Sequence, residues 1–181
     1  MKLGGKGGGN TTTGLVFEGK VDLQTMLASQ PGYSINPINR KAGKGVYFKG
    51  KLVARCFRKH DFYRFLSEEG VQWEEIISKK LLPDDSLLVI VRSTLFIIEV
   101  KWQQVDGSVD EKLQTCDFKR KQYQKLVASL NLKVEYVYVL GEWFKNPRYA
   151  DVLAYIHSVN CHYRFGTIPL DWLGLPVQGN P

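Results

Sequence analysis

The apolar positions change period several times along the chain, and each change marks an element. Residues 95–102, Leu-Phe-Ile-Ile-Glu-Val-Lys-Trp, are rich in β-branched and aromatic side chains and lack Gly and Pro, which predicts a strand. Residues 86–92 form a similar run, joined to the first by a tight connection around Ser93-Thr94, so the two read as a hairpin. Residues 134–140 predict a further strand and 162–165 a short closing one. Residues 45–48 and 52–57 flank Lys49-Gly50-Lys51, a second hairpin with glycine at its tip. Helical spacing predicts a first helix from Thr12 or Thr13, as its cap, to residue 29, with Leu15, Val16, Val21, Leu23, Met26 and Leu27 on its apolar face. Further helices are expected over 62–69, with Asp61 as cap and Gly70 as stop, over 73–80, over 111–130 and over 149–159. Residues 31–39 and Asp106-Gly107-Ser108 read as turns. Helices alternating with strands around a central hairpin predict an α/β fold, a mixed central β-sheet flanked by helices.

The chain has 181 residues, a length that suits one domain with its own core. No apolar run reaches the length of a membrane span. Met1-Lys2-Leu3 leads into glycines, so no secretory leader is expected and a cytoplasmic location is. Cys56, Cys116 and Cys161 are far apart and lack C-x-x-C spacing, which suits three reduced thiols. His60, His157 and His162 are too scattered for a histidine-metal centre. Residues 1–11 form a glycine-rich arm, expected to be flexible; no Gly-Lys-Ser/Thr follows at the spacing a phosphate loop needs.

The net charge of +7 leans toward a polyanionic partner. Its distribution sharpens this. Residues 31–59 contain no Asp or Glu, yet carry Arg40, Lys41, Lys44, Lys49, Lys51, Arg55, Arg58 and Lys59. Such a one-signed segment suits contact with DNA phosphates. Lys119, Arg120, Lys121 and Lys125 add a basic stripe on the helix predicted over 111–130, with Lys119 and Lys121 counted among the DNA contacts.

Candidate chemistry centres on the strand at 95–102. Side chains alternate along a strand, so Glu99 and Lys101 face the same way. Opposite charges inside an apolar strand are costly unless something there requires them. An acid from the preceding segment, Asp84 or Asp85, would complete a set of two carboxylates and one ammonium, fit to bind a hard divalent cation and direct water at a phosphate.

Pro83-Asp84 ahead of one strand and Glu99-x-Lys101 on the next resemble the motif of the PD-(D/E)XK nuclease superfamily, and residues 97–126 are similar to its restriction-type members. The resemblance spans residues 14–165 and is most specific over 82–138. It implies a restriction-endonuclease-like αβββαβ core, here with a basic β-hairpin inserted over residues 31–59. It implies a DNA endonuclease using Mg²⁺, with Mn²⁺ as a substitute, held by Asp84, Glu99 and the backbone carbonyl of Val100. Asp84 follows the proline as the motif requires; Asp85 would serve if the strand starts late. Lys101 would orient the attacking water and stabilise charge at the phosphate; two nearby carboxylates would hold it charged, which favours electrostatic help over base catalysis. Glu18 falls where relatives place an acid on the first helix, although the helix dipole alone favours an acid there. Gln122, beside Gln114, Asp117 and Lys121, falls where many relatives place an auxiliary polar residue; an ordinary polar helix face is the alternative. The expected protein is a type II restriction endonuclease, acting as a homodimer on double-stranded DNA, with Arg40, Arg55 and Arg58 as readers of guanine edges. A structure-specific nuclease such as a resolvase, or a DNA-binding subunit active only with a partner, are the alternatives.

Overall fold

The computed structural model describes residues 14–16, 23–82, 86–103 and 109–178. The glycine-rich arm, Glu18, Pro83-Asp84-Asp85 and Asp106-Gly107-Ser108 lie outside them. The described residues form a mixed seven-stranded sheet of order β2-β3-β4-β5-β6-β7-β8. Its strands are β2 (Tyr33–Pro37), β3 (Lys44–Phe48), β4 (Lys51–Phe57), β5 (Ser86–Val91), β6 (Thr94–Lys101), β7 (Lys133–Leu140) and β8 (His162–Phe165). From β2 to β6 each strand pairs antiparallel with the next, whereas β6, β7 and β8 run parallel. The α/β architecture expected from the sequence is the one observed. The basic hairpin, β3 and β4, is continuous with the sheet, because β4 pairs with β5.

Several local expectations are corrected. Residues 14–16 form a strand, β1 (Gly14–Val16), and not the start of a helix; β1 pairs antiparallel with β9 (Thr167–Pro169), a contact across almost the whole chain that local periodicity does not encode. The described helix there is α1 (Leu23–Ala28). Residues 33–37, expected as turns, form β2, an edge strand that buries little beyond Tyr33, so its polar composition does not read as a strand. Helix α2 (Lys59–Glu68) starts before Asp61; Arg58 is the N-cap, and Asp61 sits in the first turn, paired with Arg64. Gly70, at φ +77°, ends this helix as expected, with Val71 N–H donating to the Leu66 carbonyl at 2.8 Å. The helix expected over 73–80 shrinks to one 3-10 turn at Trp73–Glu75.

The helix expected over 111–130 is broken into α3 (Val109–Leu113) and α4 (Cys116–Val127), followed by a 3-10 turn, Ala128–Leu130. The break has a local cause. The Lys112 carbonyl accepts from the Thr115 hydroxyl at 2.7 Å and the Tyr138 hydroxyl at 3.0 Å, which diverts it from the next helical turn. Helix α5 (Ala150–Ser158) then leads to β8.

Alternation along the strands sends side chains into two apolar layers. Leu95 and Ile97 of β6, with Val134, Tyr136, Tyr138 and Leu140 of β7, pack under α2, α4 and α5. Phe96 and Ile98, with Val137 and Val139, pack on the opposite face with Leu27, Ile168 and Leu170. Glu99 and Lys101 share the parity of Leu95 and Ile97, so they project into the layer under α4. All three cysteines are buried, and none forms a disulfide among the described residues. No helix among the described residues is long and apolar enough to cross a membrane.

Candidate active site

Glu99 is the centre of the site. It lies in β6 between Ser86 of β5 and Tyr138 of β7, its register partners, and is only 1% exposed. A buried carboxylate is costly unless paired and hydrogen-bonded, and here it is fully engaged. Lys101 Nζ is 2.5 Å from Oε1. Lys119 Nζ, from α4, donates to both oxygens at 3.1 and 2.9 Å. The Tyr136 hydroxyl donates to Oε2. Burial pushes the Glu99 pKa up, but Lys101 and Lys119, then the hydrogen bonds from Lys101 and Tyr136, outweigh it and hold the carboxyl below its ordinary value. Burial and the neighbouring carboxylate push Tyr136 well up, so the phenol stays a donor.

The folding of α4 positions Lys119. Tyr123, Leu126 and Val127 are buried, and the break at Gln114-Thr115 lets the helix seat these residues while Lys119 reaches Glu99. Asp117 accepts from Lys121 at 2.7 Å and lies 3.5 Å from Arg120. Gln122, one turn beyond Lys119, is half-buried; its Oε1 is buried and finds no hydrogen-bond partner among the described residues. Gln114 lines a separate open cleft of about 680 Å³ with Arg148, Tyr149, Asp151, Val152 and Tyr155. The chain entering the 83–85 segment is also fixed: the Leu81 N–H donates to the Tyr63 hydroxyl at 2.6 Å, and the Leu81 carbonyl accepts from Tyr123 at 3.3 Å.

The site residues expected from sequence divide as follows. Glu99 and Lys101 meet, Lys119 joins them, and the Val100 side chain packs on the opposite layer. Asp84, Asp85 and Glu18 lie outside the described residues. Arg40, Lys41, Lys44, Lys49, Lys51 and Arg58 are exposed, whereas the Lys59 side chain is not described. Arg55 is drawn inward: it donates to the Ala42 carbonyl at 2.7 Å, lies 3.5 Å from Glu68, and stacks on Phe57 and Phe65. Lys121 is exposed and bound to Asp117. Sequence reasoning missed Tyr136 and the Lys119–Glu99 contact. A tyrosine inside an apolar strand needs a partner for its hydroxyl, which was the available signal for Tyr136; Lys119 gave none, because its direction depends on how α4 packs.

Tyr136→Phe keeps both lysines on Glu99 and removes one charge-assisted bond. We expect a stability loss of about 1.5–3 kcal/mol, seen as a lower urea midpoint at unchanged slope.

Among the described residues no three His, Cys, Asp or Glu side chains cluster as a metal centre. Glu99 is nevertheless a fitting hard-cation ligand, since the site already holds two ammonium groups against it, and Mg²⁺ is often bound through one or two carboxylates plus waters and substrate phosphates. Fold and site together define an α/β protein built around a strand-borne, buried Glu–Lys pair. Residues 45–133 match the family model for the PD-(D/E)XK nuclease superfamily domain. The match covers β3 through α4, including Glu99, Lys101 and Lys119. No curated protein and no solved structure gave a significant match. Nucleases of this superfamily typically use divalent metals.

Proposed function

We propose that the protein is a Mg²⁺-dependent deoxyribonuclease and, in its finer assignment, a type II restriction endonuclease that cuts a specific duplex sequence as a homodimer, with all 181 residues serving one nuclease domain. The observation that carries the reading is the Glu99–Lys101 pair, 2.5 Å apart on β6, inside the region matched by the nuclease family.

Glu99, Asp84 and the Val100 carbonyl hold the cation in this reading. Ser86, two residues after Asp84, is the register partner of Glu99, which supports a short path from that acid to the site. When bound, the ion activates water and neutralises charge at the phosphate. Lys101 orients the attacking water and stabilises the negative charge that develops on the phosphate oxygens. Gln122 Oε1 supplies an acceptor for a water or a substrate donor. The exposed cations Arg40, Lys41, Lys44, Lys49, Lys51 and Arg58 track the DNA backbone, and Arg40 and Arg58 are the candidate base readers.

One observation favours the structure-specific alternative. Trp102 and Phe118 are 41% and 59% exposed, and each is adjacent in sequence to a lysine of the site. Exposed aromatic side chains beside a cationic centre suit stacking on bases of an unpaired strand. Trp102 is held over Gly141, where an added Cβ would lie 3.0 Å from its ring.

Purified protein is incubated with unmethylated plasmid and phage DNA and, separately, with branched and single-stranded DNA, in Mg²⁺ or EDTA. Discrete duplex fragments that vanish in EDTA are the expected result. Cleavage confined to branched or single-stranded DNA moves the assignment to a structure-specific nuclease. Inertness on every substrate, in the presence of Mg²⁺ and Mn²⁺, overturns autonomous nuclease activity.

A further inference from the structure

Every acceptor position of Glu99 is taken. A carboxylate offers about four lone-pair sites, and four contacts fill them: Lys101 on Oε1, Lys119 on Oε1 and Oε2, and Tyr136 on Oε2. A divalent cation that reaches Glu99 must therefore displace a donor. Tyr136 is not the one to leave, because it is fully buried, packs edge-on to Tyr138 at 5.3 Å between ring centres, and is set in β7 by the register with Ile97. Lys101 is paired at Oε1. Lys119 spans both oxygens, the position a chelated cation would take, and it sits at the end of a flexible four-carbon stem that is 21% exposed.

We propose that Lys119 is a built-in stand-in for the metal, which neutralises Glu99 in the free protein and transfers to a substrate phosphate when the divalent ion takes its place. The inference rests on the reading of Glu99 as a metal ligand. Lys119 cannot withdraw without another anion to receive it. Asp117, the acid on its own helix, is already engaged by Lys121 and Arg120. Among the described residues two ammonium groups face one carboxylate, and adding a divalent ion without DNA adds to the positive charge there. The phosphate supplies the missing anion. Metal and DNA binding are then coupled through one side chain, and the coupling is reciprocal: DNA tightens metal binding by the factor by which metal tightens DNA binding. A free cation alone loads the site poorly, so the metal is installed on substrate.

The test is Mn²⁺ binding followed by electron paramagnetic resonance, with and without a DNA duplex carrying non-cleavable linkages. Wild type, K119M, K119R, E99Q and, as a control for loss of a surface charge, K145M are compared; Lys145 pairs with Glu142 at the surface, 2.8 Å away. K119M is expected to bind Mn²⁺ without DNA more tightly than wild type, by a factor in the range of about 5–150 that couplings of this kind span, and to lose most of the tightening that DNA gives. K119R retains a cation on Glu99 and is expected to keep the weak DNA-free affinity. K145M should match wild type. DNA-free affinity in K119M equal to or below that of wild type, with E99Q abolishing binding, overturns the stand-in role and leaves the nuclease reading intact. E99Q binding Mn²⁺ as well as wild type overturns both. K119Q repeats the comparison should K119M fail to fold, as judged by circular dichroism.

Discussion

A Glu99→Gln protein is expected to cleave DNA slower than wild type by about a thousandfold or more, the scale of the several kcal/mol a metal centre supplies. It is also expected to be less stable. Glutamine keeps the shape and removes the charge, leaving Lys101 and Lys119, 2.5 and 2.9 Å from the carboxylate in the wild-type protein, to share a neutral amide. Both lysine side chains are mostly buried, 16% and 21% exposed, so solvent relieves their repulsion only in part. Removing one partner of such a group costs about 3 kcal/mol. The two effects separate in a double variant. Glu99→Gln with Lys119→Met removes one of the stranded cations and should recover part of the lost stability without restoring cleavage. Urea unfolding measures the first quantity and initial cleavage rates at a temperature where every variant is folded measure the second. Near wild-type cleavage by Glu99→Gln, or cleavage that returns with stability in the double variant, would show Glu99 to be a structural anion and not part of the chemistry.

The core of this site was readable because its geometry is local. Alternation along residues 95–102 puts Glu99 and Lys101 on one face, and a two-residue connection with Arg92 at φ +53° closes the β5–β6 hairpin. The strand β7 was equally legible, since six of its eight residues are apolar or aromatic, the exceptions being Lys133 and Glu135 near its start. What failed to show in the sequence depends on contacts between distant residues. Leu15 is a strand residue because Ile168 lies opposite it, and nothing near Leu15 in sequence says so. The break between α3 and α4 follows from the Tyr138 and Thr115 hydroxyls meeting at the Lys112 carbonyl; Thr115 alone would not stop a helix. Lys119 read as one cation of a basic stripe, and only the packing of Tyr123, Leu126 and Val127 turns it away from solvent and onto Glu99. The same effect removed Arg55 from the exposed cations: Glu68 and two aromatic rings, all from α2 or β4, hold it in place.

Lys101→Met is expected to lower the cleavage rate by about 10²–10⁴-fold, mainly in kcat, while KM for DNA changes little. The two lysines of the site differ in a way that makes this asymmetry reasonable. Lys119 spans Glu99 and belongs to a helix, so its loss alters what Glu99 can bind. Lys101 sits on the strand itself, two residues from Glu99, with its ammonium 2.5 Å from Oε1. In the proposed reaction its ammonium acts on charge that develops at the phosphate, and an interaction made only in the transition state appears in kcat. Lys101→Arg discriminates between the two roles open to the residue. A guanidinium keeps the positive charge but cannot accept a proton in the working range. If Lys101 acts electrostatically, the arginine variant should recover a measurable part of the rate lost in Lys101→Met. If it acts as a base, arginine should be as inactive as methionine. Single-turnover cleavage with protein in excess over DNA reads the chemical step directly, and an undiminished single-turnover rate in Lys101→Met would remove Lys101 from the chemistry altogether, leaving it as the second counter-ion that lets Glu99 stay buried.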